Sequence, residues 1–317
     1  MLDFRIETFL AVCETKSYTQ AARHLNITQP AVSQHIAHLE RVYGVALFAR
    51  CGRRLVLTPA GELLRTAGET MAHDERMLRE RMAQAAGRNA RLRLHIGMTL
   101  TAGEYVVAAP LARYLVRHPE VDPSVRSGDT AQLLAELAHG EVDCAFIEGL
   151  FDASSLASDT FDRQRLVCVC SPDHPLAGRR VELVDLLRES LIVREPGSGS
   201  RAVLERALAG RNLSLASFER LVEASSVGVC RILAQGGVGI TFLYEAAVRE
   251  ALRAGLLCSI ELAGVPIEHD IAFVRLPGSI FESQLVRFLR ELVGCAEELR
   301  SEASGPVTGP SASRGRR

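Results

Sequence analysis

The residue types able to do chemistry are spread thinly along this chain. Eight cysteines stand at positions 13, 51, 144, 168, 170, 230, 258 and 295, with no Cys-x-x-Cys pair and no histidine at zinc-finger spacing. A structural zinc site therefore has no ligand set to build on. Cys168 and Cys170 would share one face of a strand, and Cys51 lies in an Arg-rich stretch able to lower its pKa, which sets thiol redox chemistry against plain burial as the cysteine roles. Gly197-Ser198-Gly199-Ser200 looks like part of a phosphate loop but lacks the Lys-Ser or Lys-Thr that must follow. There is no Gly-x-Ser-x-Gly elbow, and neither His139 nor His269 has an acid or nucleophile at diagnostic spacing. The chain thus reads as a non-enzyme without a cofactor.

Charge says more. The net charge of −1 hides an asymmetry: residues 1–61 carry seven basic side chains against four acidic, residues 91–317 carry 25 against 29. A small basic head on an acidic body suits contact with phosphate. Arg50, Arg53 and Arg54 stand too close together in sequence to form a core, and they point to a backbone phosphate or a minor groove, with a solvated turn as the plain alternative. Charges interrupt the first twenty residues every few places, so these form neither a signal segment nor a membrane span, and the expected location is the cytoplasm with no membrane partner.

The elements that must position these groups follow from periodicity. Residues 4–15 have helical spacing, Ser17 caps a second helix, and Thr28 caps a third with Pro30 tolerated in its first turn and Gly44 at its end. Two β-prone runs meeting at Cys51-Gly52 read as a hairpin. Thr58-Pro59 opens a long helix to about Gln84, whose stripe of Leu63, Leu64, Ala67, Met71, Leu78 and Met82 suits pairing with another helix. From residue 91 strands and helices alternate: strands near 91–98, 121–128, 142–149, 164–172, 190–195, 217–224 and 238–243, then a last strand at 269–276. Helices fall at about 103–117, 129–139, 199–209, 226–235 and 280–299, a rhythm of parallel α/β units.

Ser17, Ala21, Ala22, Leu25, Gln29, Pro30, Ala31, Val32, Ser33, Leu39, Glu40, Gly44, Leu47 and Phe48 form a run that resembles the winged helix-turn-helix of LysR-type transcriptional regulators. The resemblance implies an all-α winged helix-turn-helix head plus linker helix, then an α/β two-lobed, periplasmic-binding-protein-like effector domain. Its boundaries here would be 1–61 for the head, 62–90 for the linker and 91–300 for the effector domain. Lobe I would take 91–163 and 265–300 and lobe II 164–264, with hinges near 163 and 264 and a disordered tail at 301–317. The third helix would enter a DNA groove with Thr28, Gln29, Pro30, Ser33, Gln34 and His35, short or amide-bearing groups suited to base edges and to phosphate at the helix start. Gln29 and Ser33 are the first choices for base contact, with Arg50, Arg53 and Arg54 on the wing.

Residues 91–300 match the family more loosely. The match is sharpest at Val142–Gly149 and at Leu191–Arg201, which resemble the branch tied to sulfur and one-carbon assimilation. In the implied cleft Thr99, Thr101 and Gly103 would face Ser198, Gly199 and Ser200, two helix starts forming an anion pocket to which Arg194 adds charge. Simple capping is the alternative for each hydroxyl, and for Gly128-Asp129-Thr130 at the rim. Glu148 opposes an anion there unless it pairs with Arg194 or accepts from a ligand hydroxyl or amine. Sulfite, sulfate or a small carboxylate would suit the pocket. The resemblance further implies double-stranded promoter DNA, a dimer or homotetramer of the chain itself, and RNA polymerase as partners. A cytosolic solute-binding protein or an enzyme on the same α/β body is the alternative.

Overall fold

The computed structural model describes residues 2–52, 54–87, 91–153, 155–264 and 266–304. Three short helices open it, α1 (Phe4–Thr15), α2 (Tyr18–His24) and α3 (Gln29–Tyr43). Each begins where a side-chain oxygen accepts from an otherwise unpaired helix N–H: Asp3 from Arg5, Ser17 from Gln20 and Thr28 from Ala31. Gly44, at φ 70°, ends α3 in the left-handed conformation. Phe9, Val12, Ala21, Val32, Ile36 and Leu39 pack between the three helices. The two alanines of α2, Ala21 and Ala22, are buried, and their lack of bulk lets α1 and α3 approach.

Strands β1 (Phe48–Cys51) and β2 (Arg54–Leu57) pair antiparallel with Cys51 opposite Arg54, forming the expected hairpin. The next helix, α4 (Pro59–Ala85), starts on Thr58, whose hydroxyl oxygen accepts from Gly61 N at 3.0 Å and donates to Ala46 O at 2.7 Å. Its apolar stripe divides differently from the expectation. Leu64 turns into the head's core, while Leu63, Met71, Leu78 and Met82 remain exposed. The buried face of α4 also docks on the body: Arg76 pairs with Asp143, whose other oxygen accepts from His95 N, and Asp74 accepts from the Ser279 hydroxyl and Ile280 N. Head and body are thus both joined to α4, the head at its first turns and the body further along.

The body is one ten-stranded mixed sheet crossed by two long strands. Lobe I holds β3 (Leu92–Thr99), β4 (Val121–Gly128) and β5 (Cys144–Ile147), parallel in the order β4-β3-β5. It also holds α5 (Leu100–Ala102), a π-helical turn at Gly103–Val107, α6 (Ala108–Arg117) and α7 (Thr130–Ala138). The chain then crosses on β6 (Ala157–Cys170) into lobe II, made of β7 (Arg180–Val181), β8 (Ser190–Arg194), α8 (Gly199–Ala209), β9 (Arg220–Ala224), α9 (Val227–Gln235), β10 (Ile240–Tyr244), α10 (Glu245–Arg253) and β11 (Cys258–Leu262). It returns on β12 (Ile267–Arg275), antiparallel to both β6 and β5, and ends in α11 (Glu282–Ser304).

Apolar side chains cover both faces of each lobe: α6 and α11 against one face of lobe I, α7 against the other, α8 on one face of lobe II, and α9 with α10 on the opposite face. Continuous apolar strands such as Cys144–Ile147 are what burial on both faces demands. Three expectations need correction. The helix expected over 103–117 starts three residues earlier, at Leu100, and carries a π turn at Gly103–Val107 between α5 and α6. β6 begins seven residues before the strand expected at 164, its polar half Ala157–Arg163 being held by pairing with β12 rather than by burial of alternate residues. The tail expected from 301 begins in helix, since α11 runs to Ser304, and the rest of it lies outside the described residues. Near the hinge expected at 163, the β6–β12 register shifts between Ile271 and Ala272, so the bend is a bulge inside paired strands.

Candidate functional site

The head presents one polar face. Thr28, Gln29, Pro30, Ser33 and Gln34 are all exposed at the start of α3, opposite the buried Val32, Ile36 and Leu39. Gln29 and Ser33 lie one helical turn apart, on the same face. His35 departs from this set: its Nδ1 lies 2.9 Å from the Thr8 hydroxyl, and its ring meets Phe4 edge-on at 4.9 Å. It braces α3 against α1 with one ring nitrogen already engaged. Thr28 spends its oxygen on the cap, at 3.4 Å from Ala31 N. Arg50 and Arg54 are exposed on the two strands of the hairpin, and Arg53 lies outside the described residues.

The second polar cluster is buried where the lobes meet. Glu148 follows β5 and is 2% exposed, Arg194 ends β8 at 4%, Thr101 lies in α5 at 1%, and Tyr244 ends β10 at 1%. The lobes touch through backbone here: a Cβ on Gly199 would lie 2.6 Å from Glu148 Cγ, and one on Gly149 2.8 Å from Gly199 Cα. Only glycine allows this approach, and Gly149 moreover has φ +93°. His269 braces the same turn, its Nε2 lying within 3.0 Å of Gly149 N and 2.9 Å of Gly149 O.

The expected site residues divide by how they are used. Thr99 is a strut, its hydroxyl accepting from Glu148 N at 3.3 Å. Gly103 opens the π turn and is buried against Met98. α5, the π turn and α6 run on without a break from Leu100 to Arg117, so a helix does start from lobe I, after Thr99, whose side chain does not cap it. On the other lobe Ser198 does not cap α8; its hydroxyl lies 3.1 Å from that of Ser200, both buried around Gly199. Asp129 does cap, accepting from Gln132 N at 2.8 Å, and Thr130 donates to Glu148 O at 3.1 Å. These rim residues, with Pro196, Gly197 and Arg201, border a hollow of about 510 Å³ beside the junction.

Several charged and hydroxyl groups at the junction remain unsatisfied by protein. Arg194 gives Nε and Nη2 to Glu195, each at 2.8 Å, while its Nη1 has no partner. Glu148 Oε2, Thr101 Oγ1 and Tyr244 Oη are likewise buried without a well-formed protein hydrogen bond, though the Thr101 hydroxyl lies close enough to the Glu148 carboxyl to lower its pKa. Buried orphan polar atoms are costly and rare, so four at one junction mark a place built to receive something polar. Burial pushes the Glu148 carboxyl up to about 7, against the opposing pull of Thr101 and Arg194. Burial, then the charge of Glu148, raises the Tyr244 phenol well above its usual range. Tyr244 was missed because it reads as one more apolar strand residue; its place at a strand end, like Arg194, was the available signal.

The redox alternative loses ground at Cys168 and Cys170. Both are buried in the lobe II core, where desolvation raises the first thiol strongly and pushes the second up to about 11. Among the described residues no cluster of three or more His, Cys, Asp or Glu side chains could hold a metal ion, and no helix is long and apolar enough to cross a membrane.

Comparison with known proteins places both halves. Residues 5–62 match the model of the bacterial regulatory helix-turn-helix protein, lysR family, and residues 87–294 match the LysR substrate binding domain. The transcriptional regulator CysL of Bacillus subtilis is 28% identical over 276 residues, 86% of this chain and 90% of the relative. The transcriptional activator CmpR of Synechocystis is 31% identical over 268 residues, covering 83% and 86%. In fold the chain is similar to an OxyR of Corynebacterium glutamicum, with TM-score 0.61, 24% identity and coverage of 95% and 93%. Full-length LysG of the same organism, solved with bound effector arginine, aligns with TM-score 0.61 at 21% identity, covering 93% and 98%.

Proposed function

The chain belongs to the LysR family of bacterial transcriptional regulators, and from that premise we propose that it is a cytoplasmic promoter-binding protein whose grip on DNA is set by a small anionic metabolite held between the two lobes. The single observation that carries the sensing half is the set of four buried, unpartnered polar atoms contributed by both lobes at Thr101, Glu148, Arg194 and Tyr244. Arg194 Nη1 is the donor for an anionic oxygen. Sulfite, sulfate and small carboxylates are the size class that such a junction accepts. LysG bound to arginine and the Synechocystis CcmR regulatory domain in complex with 2-PG are relatives in fold that take small charged ligands.

On the DNA side, Gln29 and Ser33 read base edges from α3, while Arg50, Arg53 and Arg54 hold backbone phosphate. The exposed Leu63, Met71, Leu78 and Met82 on α4 supply the face for pairing linker helices, as a dimer and then a dimer of dimers that presents heads in pairs and controls the access of RNA polymerase. Ligand in the cleft shifts the lobes, and because α4 is clamped to lobe I through Asp143 and Ser279, the shift reaches the spacing of the heads. A ligand moves that equilibrium only by its difference in affinity for the two states.

The test is selection of genomic fragments by the purified full-length protein, followed by fluorescence anisotropy on the selected fragment and on random duplex. Selective retention of promoter fragments, with selectivity lost in Gln29→Ala, is the expected result. Equal affinity for all duplexes would contradict the reading.

A further inference from the structure

The two charged groups at the lobe junction have opposite hydrogen-bonding needs, and the protein does not let them meet. Glu148 comes from lobe I and Arg194 from lobe II, and each lies within reach of the other's charge, yet the acid partner within ion-pair distance of Arg194 is Glu195, not Glu148. Arg194 keeps Nη1 free, and a guanidinium nitrogen can only donate. Glu148 keeps Oε2 free, and a carboxylate oxygen can only accept. The Thr101 hydroxyl, close enough to lower the Glu148 pKa, and the Tyr244 hydroxyl, which feels its charge, can do either. A bare oxyanion satisfies Arg194 but faces Glu148 with like charge. A pair of unmatched ends, one donor-only and one acceptor-only, calls for an occupant with one acceptor and one donor.

We propose that the cleft selects a small amphoteric molecule, one that offers an anionic oxygen to Arg194 Nη1 and a hydroxyl or amine hydrogen to Glu148 Oε2. Hydroxy acids and amino acids meet this requirement, and Glu148 is the residue that tells them from simple anions of the same size. This rests on the reading of the junction as an anion site and narrows the class of ligand that site accepts. Specificity of this kind is strong because the wrong ligand leaves a buried carboxylate unpaired, a larger loss than a missing apolar contact.

Two pairs of acids matched in size and charge separate the two ideas, glycolate with acetate and lactate with propionate; alanine with propionate adds a pair matched in size whose donor is an ammonium. Calorimetric titration of the full-length protein at pH 8 is expected to show at least one donor-bearing acid binding about tenfold or more tighter than its match. Glu148→Gln, which keeps the shape and removes the charge, should strengthen the donor-free acid and bring that ratio to near one; an unchanged thermal melt at pH 5 verifies that the variant folds. Equal affinities within every pair, unmoved by Glu148→Gln while Arg194→Ala abolishes both, would overturn the inference and leave the anion site standing. No measurable binding by any acid, with Arg194→Ala without effect, removes the anion site itself and this inference with it.

Discussion

The head and the lobe junction solve opposite problems. On the head the working groups, Gln29, Ser33, Gln34, Arg50 and Arg54, come from 26 consecutive residues and stand in solvent, so they are free at no cost in desolvation. At the junction the groups come from positions 101, 148, 194 and 244, are almost wholly buried, and are held unpaired by the packing around them. Large partners such as DNA bring their own charges to an exposed face, whereas a ligand of a few atoms must be met by groups already stripped of water. The first arrangement costs the fold little. The second stores unfavourable free energy that only an occupant relieves.

That contrast can be sharpened by removing the stored term. The Glu148 carboxyl sits near 7 in the folded chain against an ordinary 4.5, so the folded state holds its proton more tightly than the unfolded state does. Stability is therefore unaffected below about pH 4.5, falls as pH rises toward 7, and stays reduced above it. By linkage the fall is about 3 kcal/mol. Chemical denaturation should find Glu148→Gln more stable than wild type by about that much at pH 8 and equal to it at pH 4.5. A difference independent of pH would show that Glu148 is paired in solution.

Next in size is Arg194→Ala, expected to cost about 2 kcal/mol of affinity for an anionic ligand, or about thirtyfold, by loss of a charge-assisted hydrogen bond. Its affinity for DNA without ligand should stay within about twofold, because no junction residue lies near α3. A parallel loss on DNA would break the separation drawn here.

Smaller effects are expected on the exposed side. Gln29→Ala should weaken the preferred fragment by about 1.4 kcal/mol, tenfold, with random duplex unchanged. Arg54→Ala should weaken every duplex by about threefold and lower the salt slope of binding by about one. Anisotropy titrations at several salt concentrations check both. If Gln29→Ala weakened both duplexes alike, the amide would be a positioning group and base reading would lie elsewhere on α3.

Legibility followed the same divide. The head was readable to the residue because its helices, caps and turns are local: Ser17, Thr28 and Thr58 cap where their types and spacing require, and Gly44 ends α3 with positive φ. His35 escaped because its partner, Thr8, is 27 residues away. In the body the alternation of strands and helices was legible, since the apolar runs of β5, β8 and β10 are buried on both faces. The polar half of β6 was not, because pairing with β12 more than a hundred residues later holds it extended. Thr101, Glu148 and Arg194 could be named from strand ends, but that Arg194 would turn to Glu195 and leave Glu148 unpaired depends on rotamers that no local pattern encodes.

The central claim is that the junction is an anion site formed by both lobes, and a thermal-shift screen of the full-length protein against sulfite, sulfate, thiosulfate, phosphate, small carboxylates, hydroxy acids and amino acids tests it most directly. A ligand that binds only the folded state raises the melting temperature. The account predicts that at least one of these compounds does so for wild type and fails to do so for Arg194→Ala. An absence of any shift across the panel, or the same shift in both proteins, would contradict it.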